Sequence, residues 1–436
     1  LTEINYGGSS AHGLPLGLAS RREKTKFIMA AGIGNFLEIF DFTVYSFFAV
    51  VIGQVFFKAD DPMVSLMISV SVFGVGFLMR PLGSIMIGSY ADRYGRKSAM
   101  LVTIALMALG SAMIAFAPPY SAIGWLAPLL IVVGRLLQGF SAGGEIGAAT
   151  TLLMESAPHQ ERGFFVSWQF IGQGLSSMCG ALFGAVLTYS LTAEQLMAWG
   201  WRVPFVFSLL IIPVGLYIRA HIKETYAGET PAAHKKTRHP LAQIFNSHFM
   251  QFARAVLMVM PVTLLVYIMV FYMPSYLKQV SPVAPSLAYA ISAMISVILI
   301  VFAFVGGFIC DRIAKRKQFA IMIILASLAF AYLVFTGVEN IVFFVLALMV
   351  CVALLGMLMT TQALLIMEAF PRSVRATAMS VSYSVGVTVF GGTAQIIITK
   401  LMSVSGGNPM APFWYIGPML LLSVFAYAFF DEKRYV

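Results

Sequence analysis

Glu38, Asp41, Arg80, Arg135 and Glu145 each lie inside a long apolar stretch of this chain. A charge near the middle of a bilayer costs roughly 2.5–3.5 kcal/mol or more, so intramembrane charges mark function and call for partners. Arg135, Gln138, Ala142 and Glu145 are spaced i, i+3, i+7 and i+10, which puts them on one stripe of a helix beside the small residues Gly139, Gly143 and Gly144. Asn35, Glu38, Asp41 and Tyr45 form a second stripe. At 1.5 Å per residue Asp41 lies about 21 Å from the inner end of its segment, and Arg135 about 15 Å from the outer end of its own. In a core about 30 Å thick these depths match. The expected layout pairs Asp41 with Arg135 in a middle layer and sets Arg80 with Glu145 and Glu38 in a layer below.

Three acids against two arginines leave one carboxylate under-paired, able to gain and lose a proton as its surroundings change. Asp41 is the first candidate for that proton and Glu38 the second, since no histidine lies deep in an apolar segment. The planar fork of Arg135, and that of Arg80, suits a carboxylate. The plain alternative is a static charge network that only holds helices together.

The elements that position these residues follow from composition. Of 436 residues 59% are hydrophobic and 11% charged, with a mean hydropathy of +0.87; soluble domains carry about 25% charged residues. Apolar segments of spanning length, about 20 residues, occur at approximately 27–57, 62–90, 98–117, 125–157, 163–190, 202–221, 248–277, 283–310, 318–338, 340–369, 376–402 and 412–430. The expectation is an all-α protein of twelve transmembrane helices. Residues 1–26 read as an uncleaved N-terminal tail, 27–221 as one six-helix bundle, 222–247 as a polar linker, 248–430 as a second bundle and 431–436 as a tail.

Most of the 28 basic residues fall on the tails and the even-numbered loops, which places both termini in the cytoplasm. Trp125, Trp199, Trp201 and Trp414 then mark the outer interface. The net charge of +10 is dispersed in short clusters between spans, so it reports topology and gives no nucleic-acid surface. Cys179, Cys310 and Cys351 are far apart in apolar runs and suggest neither a disulfide framework nor a metal site. Neither GxxxxGK[ST] nor HExxH occurs, so no ATP-driven pump or zinc hydrolase is indicated; Gly139-Phe-Ser141-Ala-Gly143 has the GxSxG spacing but lies within an apolar helical stretch, whereas a serine nucleophile elbow needs a strand-to-helix turn.

The halves repeat. Gly88-Ser-Tyr-Ala-Asp92-Arg93-Tyr-Gly95-Arg96-Lys97 recurs as Gly307-Phe-Ile-Cys-Asp311-Arg312-Ile-Ala314-Lys315-Arg316, and Glu155-Ser-Ala-Pro158-His-Gln-Glu-Arg162 as Glu368-Ala-Phe-Pro371-Arg-Ser-Val-Arg375. With RxxQG at 135–139, these motifs resemble the major facilitator superfamily across all twelve spans. NFLEIFDFTVY at 35–45, GFLMRPLG at 76–83, GRLLQGFSAGGEIGAA at 134–149 and WGWRVPF at 199–205 resemble its metabolite:proton symporter group, whose members move citrate, dicarboxylates, 2-oxoglutarate, shikimate or zwitterionic osmolytes.

The resemblance implies two pseudo-symmetric bundles and proton-coupled symport of a small organic carboxylate, with a di- or tricarboxylate such as citrate favoured. The alternatives are a zwitterion such as proline or betaine, or a monocarboxylate such as shikimate or an aromatic acid. It implies a monomer in a bacterial inner membrane, not an enzyme, using no cofactor or metal beyond the proton gradient. Some osmolyte members carry a long C-terminal coiled coil, whereas this chain stops at Val436, which disfavours osmosensing.

In this reading Asp41 and Glu38 couple protons, and Arg135, Gln138, Arg80, Tyr45, Asn35, Gln169, Gln173, Tyr272, Gln362 and Tyr383 bind substrate. Glu145, Asp92, Arg93, Arg96, Asp311, Arg312, Glu155, Arg162, Glu368 and Arg375 form the conformational latch and charge network. Ala314 stands where the second loop motif expects Gly, so only the first copy is expected to act fully. The repeat aligns Asp41 with Met260 and Arg135 with Leu348, which leaves the second half to supply neutral groups: Tyr267, Tyr272, Tyr276, Gln362, Tyr383 and Gln395.

Overall fold

Inside a bilayer the backbone of an apolar segment has no partner but itself, so each segment closes into a helix. The computed structural model describes residues 36–57, 59–94, 96–143, 146–155, 157–213, 240–371, 374–430 and 432. Among these residues there is no strand. Eight helices are long and apolar enough to cross a membrane, a bent pair makes a ninth crossing, and three shorter apolar helices stand at the remaining places. They match the twelve expected segments in order.

Helix α1 is Phe36–Phe47 with Ala49–Phe56, bent by 67°. It is followed by α2 (Pro62–Tyr94), α3 (Arg96–Ala115), α4 (Leu126–Ala142 and then Ile146–Glu155), α5 (Arg162–Ser190) and α6 (Gly200–Pro213). The second half comprises α7 (Phe249–Phe271), α8 (Pro285–Arg312), α9 (Arg316–Thr336), α10 (Ile341–Glu368), α11 (Arg375–Val404) and α12 (Ala411–Ala428). Of the expected linker, the described part is a short helix, Pro240–Ser247; the tails 1–26 and 433–436 lie outside the described residues.

Two helices of the second half depart from α geometry where they reach the centre. In α7, Pro261 has no N–H to donate, and the helix widens to π turns over Val266–Phe271. The same widening occurs in α11 over Val387–Gly391. Such turns turn side chains out of register and recur at functional sites.

The halves meet along α5 with α8 and α2 with α11. Both crossings rest on glycine. A Cβ on Gly307 of α8 would lie 2.8 Å from the carbonyl carbon of Gly163 of α5, and one on Gly392 of α11 would lie 3.3 Å from the carbonyl oxygen of Gly74 of α2. On the side that carries the basic loops, the Asp311 carboxylate accepts the N–H groups of Gly163 at 2.6 Å and Phe164 at 2.9 Å, while Arg375 reaches Glu155 at 3.5 Å. At the other side the bend of α1 is tied to the second half. The hydroxyl of Tyr289 donates to the carbonyl of Phe47 at 2.7 Å, Ser46 donates to that of Phe271 at 3.2 Å, and Gln395 donates to Ser46 at 2.7 Å. Contacts thus join the halves at both ends.

One expectation changes. Trp201 is fully buried, edge-on to Phe56 with ring centroids 5.2 Å apart, so it packs α1 against α6 and does not belong to the interfacial belt. Trp125, Trp199 and Trp414 are exposed. In the second loop motif the Asp311 carboxylate meets the first N–H groups of α5.

Candidate functional site

Asp41 and Arg135 lie in one layer, as their depths require, but they are not in direct contact. No ion pair joins them among the described residues; a chain of hydrogen bonds does. Ser111 of α3 donates to Asp41 Oδ2, Gln138 Nε2 donates to Ser111 Oγ at 3.1 Å, and Arg135 Nη1 donates to Gln138 Oε1 at 2.7 Å. All four side chains are buried. The expected direct pair is thus replaced by a relay across α1, α3 and α4.

Arg135 is held by rings. Its guanidinium carbon lies 4.3 Å from the centroid of Phe42, 4.7 Å from that of Tyr45 and 5.2 Å from that of Phe73. Gly76 gives it room: a Cβ there would sit 3.0 Å from the Arg135 carbonyl and 3.5 Å from Nη2. Arg80 is placed likewise, 4.3 Å from the Phe42 centroid and 4.4 Å from that of Phe77. Nε and Nη2 of both arginines are buried without a hydrogen-bond partner. These two nitrogens form the edge of a guanidinium that accepts a carboxylate bidentately. Asp41 Oδ1 is also unpartnered.

The second half closes over this layer. A cavity of about 10 Å³, room for one water, is lined by residues that include Phe42, Gln173, Tyr267, Phe271 and Tyr383. Nε2 of Gln173 and of Gln362 are buried donors without acceptors.

The other expected residues scatter. Glu38 and Gln169 are buried, Glu38 nearly one turn before Asp41 on α1. The Tyr45 hydroxyl is turned to the Ser69 carbonyl at 3.3 Å, so Tyr45 offers the site its ring. The structure sets Tyr272 apart from the cavity, its hydroxyl held by Thr399 at 2.9 Å and Gln279 at 3.1 Å. Tyr276 donates to the carbonyl of Pro409.

Glu368 is bound by Arg316 through both oxygens, at 2.7 and 2.6 Å, inside the second half. Arg312 lies over the ring of Phe308, and Arg162 is buried at the start of α5. Asp92 and Arg93 fall at the end of α2 and Arg96 opens α3. Asn35 and Glu145 lie outside the described residues.

Sequence reading missed Ser111 and Phe42. A serine in a span is common, and an aromatic next to Asp41 reads as packing. Only the fold brings α3 beside α1 and sets two guanidinia against one ring.

A twelve-helix bundle in two halves, with a buried layer of charge between them, is the architecture of a membrane transporter. The Major Facilitator Superfamily model matches residues 31–391, and the chain belongs to that family. Among relatives, it is 35% identical to a citrate-proton symporter of Klebsiella pneumoniae, over 89% of this chain and 87% of that protein. It is 32% identical to an alpha-ketoglutarate permease of Escherichia coli, over 92% of each, and 30% identical to a putative proline/betaine transporter of Staphylococcus aureus, over 92% and 87%. A solved D-xylose-proton symporter shares the fold, with a TM-score of 0.74 at 16% identity, over 94% of this chain and 98% of that one.

Proposed function

We propose that this chain is a proton-coupled symporter of a small organic carboxylate, with a di- or tricarboxylate such as citrate as its cargo. The observation that carries this reading is the pair of arginine edges. Arg80 and Arg135 each present a buried Nε and Nη2 with no acceptor, and Gln173 and Gln362 add donors, against Asp41 Oδ1 and Gln395 Oε1 as open acceptors, so the open donors outnumber the open acceptors and favour an acceptor-rich ligand such as a carboxylate. The citrate-proton symporter and alpha-ketoglutarate permease among its relatives support the same substrate class.

In this reading the protein works as a monomer in a bacterial inner membrane, both termini cytoplasmic, its bundles at 27–221 and 248–430 rocking about the site without a cofactor. A proton on Asp41 removes the negative charge nearest Arg135 and frees that cation for the substrate. The linkage is reciprocal, so the bound carboxylate favours protonation in turn.

A second reading is a zwitterion such as proline or betaine. It draws support from the Staphylococcus relative and from Asp41 Oδ1, unpartnered beside a cation and so able to face a quaternary amine.

Uptake into proteoliposomes under an inward proton gradient decides between them, with citrate, tricarballylate, succinate, 2-oxoglutarate, shikimate, proline and betaine offered in parallel. Accumulation of a di- or tricarboxylate that collapses with a protonophore is the expected result. Accumulation of betaine or proline alone would replace the reading with the second one.

A further inference from the structure

The relay between Asp41 and Arg135 passes through one hydroxyl, and its logic is fixed by what each group can do. Arg135 can only donate, so the atom of Gln138 at 2.7 Å must be its oxygen, and its NH2 group then faces Ser111. Ser111 Oγ therefore accepts from Gln138 and has a single hydrogen to place. Two acceptors lie in reach of that hydrogen: Asp41 Oδ2 and the carbonyl of Met107 one turn back on α3, at 2.9 Å.

We infer that Ser111 is a positioning residue for coupling, a rotor whose hydrogen follows the proton on Asp41. While Asp41 is a carboxylate, the hydrogen turns to it in a charge-assisted bond. The chain of dipoles then runs unbroken from Arg135 to the negative charge. When a proton arrives on Asp41 Oδ2, that oxygen becomes a donor to the second lone pair of Ser111, and the Ser111 hydrogen swings to Met107 O. Every atom that carries the relay, from Arg135 Nη1 to Asp41 Oδ2, keeps a partner in both states, and no backbone atom has to move.

What changes is the charge at the far end. The relay no longer ends on an anion, and Arg135 is left to the substrate. The groups around Asp41 are Ser208 from α6, whose hydroxyl also donates to the Phe205 carbonyl, Arg135 from α4, Arg80 from α2 across Phe42, Glu38 and Tyr45 on its own helix, and Tyr267 and Tyr383 from α7 and α11 about the adjoining cavity. None of them bridges Asp41 to Gln138.

This inference rests on the symport reading, and the test separates the two. Parent protein and the variants Ser111→Ala and Ser111→Thr are reconstituted, and each is assayed for proton-driven accumulation of labelled citrate and for citrate exchange at equal pH on both sides. Failure of the parent to accumulate any carboxylate would overturn the symport reading and the inference with it.

Given a working parent, Ser111→Ala should lower the ratio of accumulation to exchange by about tenfold or more, and Ser111→Thr, which keeps the hydroxyl, should recover most of it. An unchanged ratio in Ser111→Ala would overturn the inference, as would a threonine variant that exchanges citrate but couples no better than alanine. Should the alanine variant fail to fold, Ser111→Cys takes its place: its thiol is a weak donor, so it should show a reduced ratio, and a parental ratio would refute the rotor.

Discussion

Arg80 and Arg135 share a ring: each guanidinium carbon lies 4.3 Å from the centroid of Phe42. Two cations held near one another in a low-dielectric layer repel, and burial removes the water that would screen them. A ring beneath a guanidinium returns about 0.5–2 kcal/mol per contact while occupying none of its N–H groups. Phe42, helped by Phe77, Tyr45 and Phe73, thus stabilises the cations and leaves their hydrogen-bonding edges for a ligand.

Arg135→Lys keeps the charge and loses the fork. Charge-assisted hydrogen bonds of this kind contribute about 1.5–3 kcal/mol, so citrate affinity should fall roughly 10- to 100-fold, read as the half-saturation concentration for exchange. Arg80→Lys should weaken a tricarboxylate more than a monocarboxylate, because the second edge has work only when a second carboxylate is present. Equal losses for both substrate types would take Arg80 out of the site.

Asp41→Asn removes the titrating group and preserves its shape. Accumulation driven by a proton gradient should vanish, while exchange of internal for external substrate continues and is indifferent to a protonophore. Parental accumulation by this variant would move the proton to another carboxylate, with Glu38 the next to test.

Phe42→Leu keeps an apolar side chain between the arginines and removes the ring. In the absence of ligand the variant should lose about 1–3 kcal/mol of stability from two contacts of this type, seen as a lower unfolding temperature. Saturating citrate should recover part of that loss, so ligand-induced stabilisation should exceed that of the parent. A parental unfolding temperature would show that the ring contacts contribute little.

Gly307→Val sets a branched side chain where α8 meets the backbone of α5, at a contact that already leaves a Cβ 2.8 Å from the Gly163 carbonyl carbon. The basic side should be wedged apart, lengthening the distance between spin labels on the basic ends of α5 and α8 and suppressing transport. Asp311→Asn should act in the same direction more weakly. A charge at a helix N-terminus contributes about 0.3–1 kcal/mol, which corresponds to a shift of a few-fold toward the open form.

The helices were legible because they follow from a local rule, the length of apolar runs. Counting the rise per residue was enough to expect Asp41 and Arg135 near one another. What lay between them was not legible: Ser111 sits on a third helix, and its role depends on how α3 rotates about its axis, which no sequence spacing encodes. The bend of α1 and the π turns of α7 and α11 were hidden as well, since neither the length of an apolar run nor its spacing marks them. Tyr272 is a different case: its type and segment suit a ligand contact, and only the fold shows that its hydroxyl is held by Thr399 and Gln279.

At the two crossings between the halves, backbone lies against backbone, with Gly163 on Gly307 and Gly74 beside Gly392. Side chains that interlock must find new rotamers before one surface slides on another, and each such step roughens the path. Where bare main chain meets bare main chain there are no rotamers to exchange, so the two helices approach to backbone contact at these points. Away from them the α5–α8 crossing carries interlocked side chains, Phe164 and Trp168 against Phe304 and Ser296 bonded to Ser177, so any motion of one half on the other must turn those rings and break that bond.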